Sequence, residues 1–262
     1  MRPSLSSLPP ELLCRVFESA EDFSAVAALG QTARIFNNTW RENPTPICEA
    51  VAPRVFSNFN DAQRLVAIQE EADADPSSQP NPSQLRQNGG NNSAISRAKR
   101  LLFNARCASA ACESWVIVCN IRHSTDRGEH LGEDPYMTPS ERARFEHAFY
   151  CLWTVGVMAR ATHLQEQMST FLDRCSPREL FRLDEMGDWV RNYSENNFRS
   201  RGLDLDLHDE TWTAGCDVVS KRWIASPKDR DWGYPYPYRS LISFFAFFDH
   251  TQIYLDRIPD HW

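Results

Sequence analysis

The side chains able to do chemistry fall into three groups. Cys107, Cys112, Cys119 and His123 supply the thiols and imidazole of a zinc site. Such sites, however, take close pairs of ligands at a turn, and these gaps place the four side chains along one continuous helix, several turns from first to last. The spacing therefore predicts buried thiols and a histidine near a negative helix end, with no metal. Glu129, His130 and Asp134 crowd one polar loop, while Glu146, His147 and His163 fall in the stretch expected to form a central helix. Acid–base catalysis needs a donor and acceptor in fixed geometry, which neither group's spacing demands. Solvated loop charge and satisfied helix polar groups account for both. No strained turn around a serine, no phosphate-cradling glycine loop and no His-Glu-x-x-His helix is present, so neither catalysis nor a cofactor is expected.

A different chemistry is written at Asp231-Trp232-Gly233-Tyr234-Pro235-Tyr236-Pro237-Tyr238, whose prolines forbid a helix. Trp232, Tyr234, Tyr236 and Tyr238 are aromatics with polar handles on a stiff loop. They are candidates for gripping a target protein, because such side chains offer large contact area at little entropy cost. A loop of this kind also serves as a lid over its own bundle, and that alternative stays open.

The elements that must position these groups are helical. With 262 residues, 42% of them hydrophobic, the chain can bury a sizeable core. Its net charge of -7 argues against nucleic acid or an anionic membrane as main partner, since both demand a basic footprint. No run reaches the roughly 18 apolar residues of a membrane span and no apolar signal core follows Met1, so an intracellular protein with reduced cysteines is expected. Cys14, Cys48 and Cys151 read as small buried hydrophobes.

Helical periodicity opens from about Asp61, with Leu65, Val66 and Ile68 on its buried side, and fades into a stretch rich in Pro, Ser, Asn and Gly. Residues 74–93 are expected to be a flexible linker between an N-terminal region, 1–73, and a C-terminal one, 94–262. A long helix from Ala94 should close at His123. Thr138-Pro139-Ser140-Glu141 and Ser176-Pro177-Arg178-Glu179 are two capping boxes with proline at the first helical position. The first should open the core helix of a bundle, carrying Phe145, Phe149, Leu152, Trp153 and Met158. Leu203 to Leu207 alternates like a strand but has no partner run, so a loop is expected. Helices over Trp212–Ile224 and Ile242–Leu255 complete an all-α reading.

The N-terminal stretch is the most informative. Pro9 and Pro10 launch a helix at no cost in hydrogen bonds, and Leu12, Leu13, Val16, Phe17 and Ala20 form one apolar stripe along it. A second short helix follows Asp22 or Ser24 as cap and is expected to end at Gly30; a third starts near Thr32 and carries Ile35, Phe36 and Trp40. Pro44 and Pro46 should end that one, and Pro53 should break the apolar run from Ile47 to Val55. Three helices in about 35 residues bury too little to be comfortably stable alone, so something must cover them.

Leu8-Pro9-Pro10-Glu11-Leu12-Leu13, Val16-Phe17, Asp22 to Leu29 and Arg34-Ile35-Phe36 resemble the F-box motif, most closely its filamentous-fungal variety. The likeness continues through Trp40, Glu42-Asn43-Pro44, Ala52-Pro53-Arg54-Val55 and Asp61-Ala62, and more loosely to Arg142-Ala143-Arg144-Phe145 and Ala148-Phe149-Tyr150. Ala20, where a larger aliphatic is usual, and Gly30 depart from the pattern.

The resemblance implies an N-terminal three-helix F-box-like module followed by a helical bundle. It further implies that Leu8, Pro9, Pro10, Leu12, Leu13, Val16 and Phe17, with Leu29, Ile35 and Phe36, bind a Skp-type adaptor and through it a cullin scaffold. The bundle would then present a target of unknown identity to a cullin-RING ubiquitin ligase. Two other readings stay open: an F-box protein bound to its adaptor outside any ligase, and a helical-bundle enzyme with an unrecognised site.

Overall fold

The computed structural model describes residues 8–74, 90–127, 137–192, 203, 205–225 and 247, with backbone alone at 90–93 and 117–127. Among the described residues every regular element is helical, so the all-α expectation holds. None of these helices is long and apolar enough to cross a membrane.

The N-terminal helices are α1 (Pro10–Glu18), α2 (Phe23–Thr32), α3 (Arg34–Glu42), α4 (Pro44–Val55) and α5 (Phe59–Asp73), followed by α6 (Gly90–Arg127). Pro9 precedes α1 in extended backbone, and its carbonyl accepts from the Leu12 and Leu13 amides at 3.0 and 3.1 Å. Asp22, the better of the two expected caps, accepts from the Ala25 amide at 2.7 Å. Helix α2 then runs through Gly30 to Thr32, contrary to the expected stop. Glycine ends a helix by turning left-handed, and here extended Ala33 makes the break instead, at φ −156°. Helix α4 likewise tolerates Pro53 in its last turn. The ring deletes one amide bond there, and the helix ends two residues later anyway.

Leu13, Phe17, Val26, Phe36, Ile47 and Val51 close a core between α1, α2, α3 and α4, with Leu8, Phe23, Leu29, Ala33 and Trp40 packed around it. The Phe17 and Phe36 rings meet edge to face at 6.3 Å, and Phe23 stacks on Phe56 at 6.1 Å. In α5, Leu65, Val66 and Ile68 are buried as expected.

Helix α6 departs from expectation at both ends. It starts at Gly90, inside the stretch read as linker, and passes His123 to reach Arg127. Lengthening an existing helix needs no new nucleus, so weak helix formers at its ends are carried along.

The chain divides into two compact units. One comprises Met1–Val66 with Pro76–Asn104, the other Ala67–Asp75 with Ala105–Trp262, so the division runs through α5 and α6. The second unit also holds α7 (Pro139–Arg160), a 3-10 turn (Thr162–Leu164), α8 (Gln165–Asp173), α9 (Pro177–Asn192) and α10 (Glu210–Ala225). Both capping boxes form. The Thr138 amide donates to Glu141 at 2.8 Å and the Glu141 amide returns to the Thr138 hydroxyl at 3.2 Å; Ser176 and Glu179 repeat the exchange at 2.7 and 3.3 Å.

Helix α7 is buried on nearly all sides, from Phe145 through Met158. Gly156 lets it approach α10, since a Cβ there would strike the Thr211 carbonyl, and one on Gly215 would lie 3.0 Å from Gly156 Cα and Leu152 O. Around this crossing lies an aromatic core. Phe149 and Trp153 meet Trp212 at 4.8 and 5.3 Å, while Phe145 meets Trp115, Trp189 and Phe247 at 5.5 to 5.6 Å. Leu203, Leu205 and Leu207 are buried from irregular backbone, the loop expected of them.

Candidate docking face

Successive residues of α1 advance by 100°, so its apolar side chains form one broad arc with two flanks. Leu13 and Phe17, fully buried, make the inner flank and belong to the first unit's core. Leu12 is 49% exposed and Val16 half-buried on the outer flank, and Pro9 and Pro10 are exposed at the helix start. Helix α3, which packs against α1, repeats the division with Phe36 buried beside Ile35, 37% exposed. Leu8 and Leu29 are half-buried against the core. The ten residues expected to dock thus separate. Leu13, Phe17 and Phe36 are held by the unit itself, and Pro9, Pro10, Leu12 and Ile35 face outward.

Among the described residues the exposed large hydrophobics are Leu12, Ile35, Val55 and Ile224. Three of the four lie in the first unit, and two of those are in the expected set. Leu12 and Ile35 lie on α1 and α3, two helices that pack against each other.

The C-terminal end of α1 is tied down. Arg54 on α4 donates to the Glu18 carbonyl, and the Ser19 hydroxyl donates to the Arg15 carbonyl at 2.7 Å. The first contact uses a carbonyl of the last turn, which the helix end leaves without an intrahelical partner, and the second adds a bond to the Arg15 carbonyl that already accepts from the Ser19 amide. An Arg15–Glu18 ion pair of 2.9 Å runs along the surface. The Cys14 thiol donates to Glu18 at 3.4 Å; burial first and that carboxylate second raise its pKa, so no reactive thiolate stands beside the face.

The groups singled out for catalysis or metal are described only in part. Cys107 and Cys112 are buried five residues apart on α6, and burial pushes each thiol up to about 12. The side chains of Cys119 and His123 lie outside the described residues, as do Glu129, His130 and Asp134. Glu146 is paired with Arg142 at 2.7 Å, and Arg142 also donates to Ser109 at 2.8 Å, a structural network within one unit. His163 sits on the 3-10 turn beyond the central helix, bonded to the Glu71 carbonyl at 3.1 Å. Trp232, Tyr234, Tyr236 and Tyr238, the candidate target-binding residues, also lie outside the described residues.

Sequence reasoning overlooked the pairing of His147 with Cys151, for which the four-residue spacing on a helix was the available signal. No family model, no curated protein and no solved structure matches the chain.

Proposed function

We propose that the chain is a non-catalytic adaptor of the F-box kind. Its first unit docks on a Skp-type protein that leads to a cullin scaffold, and its second unit holds a target protein for ubiquitylation by another subunit. Catalysis in such an assembly is proximity, because holding the target near the charged ubiquitin carrier raises its effective concentration.

The observation that carries the reading is the outward flank of α1 and α3. Leu12 and Ile35 are exposed next to side chains that fill the unit's own core. Burying a residue of this size contributes about 1.5 to 3 kcal/mol, so two of them with the flanking prolines and Val16 supply a workable docking energy once association costs are met.

The test is co-purification of a co-expressed Skp-type protein with wild type, Leu12→Asp and Ile35→Asp. Capture by wild type and loss in both variants, with unchanged melting curves, is the expected result. Equal capture by all three, or none by wild type, would overturn the reading. A cullin in the captured material distinguishes work inside a ligase from adaptor binding outside one.

A further inference from the structure

We propose that His147 and Cys151 chelate a soft divalent metal ion of the zinc class on one turn of α7. The two residues are four apart on a helix, and so lie one above the other on the same face. The Cys151 sulfur is 3.9 Å from Nδ1 and 3.8 Å from Nε2 of the imidazole. A tetrahedral ion, with metal–nitrogen near 2.0 Å and metal–sulfur near 2.3 Å, sets nitrogen and sulfur about 3.5 Å apart. The pair is within a few tenths of an ångström of that span.

The near equality of the two distances means that the thiol faces the ring without aligning on either nitrogen. Rotation about the Cβ–Cγ bond, a soft torsion, brings one into line. Two further features suit a ligand pair. The turn belongs to a helix whose start is locked by a capping box, so the Cα positions are pre-organised. Cys151 is 6% exposed while His147 is half-buried, which protects the sulfur and leaves the imidazole side as the way in.

Thiol and imidazole together favour zinc over magnesium or calcium, which take oxygen ligands. On binding, the S–H bond of Cys151 breaks, a sulfur–metal bond forms and the proton passes to solvent. Neutral imidazole donates a lone pair and loses nothing. The remaining coordination positions fall to water or to oxygen ligands, so the centre is open, unlike a closed four-thiolate structural site.

Cobalt(II) is the probe, added to the metal-free full-length protein. Wild type should take up one equivalent with a sulfur-to-cobalt charge-transfer band, release about one proton per ion in weak buffer, and lose the band when zinc is added. Cys151→Ser should abolish the band. His147→Ala should weaken uptake by at least the ~10-fold that losing even an outer ligand partner costs. Circular dichroism checks that both variants stay folded; for any that does not, Cys151→Ala or His147→Gln replaces it. A folded wild type with no charge-transfer band, or a band that survives in Cys151→Ser because another cysteine supplies it, overturns the assignment.

Discussion

Leu12 and Phe17 sit five residues apart on one short helix and answer to different demands. Phe17 is fully enclosed by its own unit, so Phe17→Ala should cost about 3 to 5 kcal/mol, read as a lower midpoint in urea. Leu12→Asp changes an exposed position and should stay within about 0.5 kcal/mol in the same experiment. A charge at Phe17 would therefore abolish adaptor binding by unfolding the unit, which makes Leu12 the discriminating position. The buried thiols carry a prediction of their own. Burial pushes Cys48 up to about 11 and Cys107, Cys112 and Cys216 up to about 12, from an ordinary 9.0. Above pH 9 the unfolded chain releases these protons while the folded chain keeps them. Stability contributed by the neutral thiols is thus fully present below 9 and lost as pH rises toward 11 to 12. The ceiling is about 1.4 kcal/mol per pH unit for each thiol. Urea unfolding at about pH 8 and about pH 10 should show the fall, and replacing Cys107 by Ala should reduce it.

At the scale of the helix, starts and stops were unequally legible. Starts at Pro10, Asp22, Thr138 and Ser176 could be read because caps and prolines act locally, through bonds to the next three residues, whereas Pro44, read as a helix stop, opens α4. Stops at Gly30, Pro53 and His123 were misplaced. A helix continues past a poor residue when neighbouring elements hold it, and that support is invisible in the local string. The same substitution should consequently have opposite effects at two glycines. Gly30→Ala adds a methyl where nothing lies within 4 Å and should stabilise by about 0.5 to 1 kcal/mol. Gly156→Ala drives a methyl into the Thr211 backbone at the α7–α10 crossing and should destabilise by about 1 to 3 kcal/mol or more. Thermal melts of the two variants, moving in opposite directions, check both.

Across the whole molecule, the composition sets a covering problem: the first three helices are too short to be self-sufficient. The first compact unit, to which Asn104 also belongs, meets it with α4, whose Ile47 and Val51 join the core of α1, α2 and α3. A fragment 1–104 should accordingly melt cooperatively, while 1–66 should melt at lower temperature or without cooperativity, as followed by circular dichroism. The sequence alone determined that the chain is helical, where its capped helices begin and which helix is central, because periodicity, proline and capping chemistry are properties of neighbouring residues. It also marked α1 as carrying an apolar arc. Only the tertiary structure decided which flank of that arc points inward, since burial of Leu13 and Phe17 and exposure of Leu12 depend on where α2, α3 and α4 come to rest. Depth is a relation between distant residues, and no local pattern encodes it.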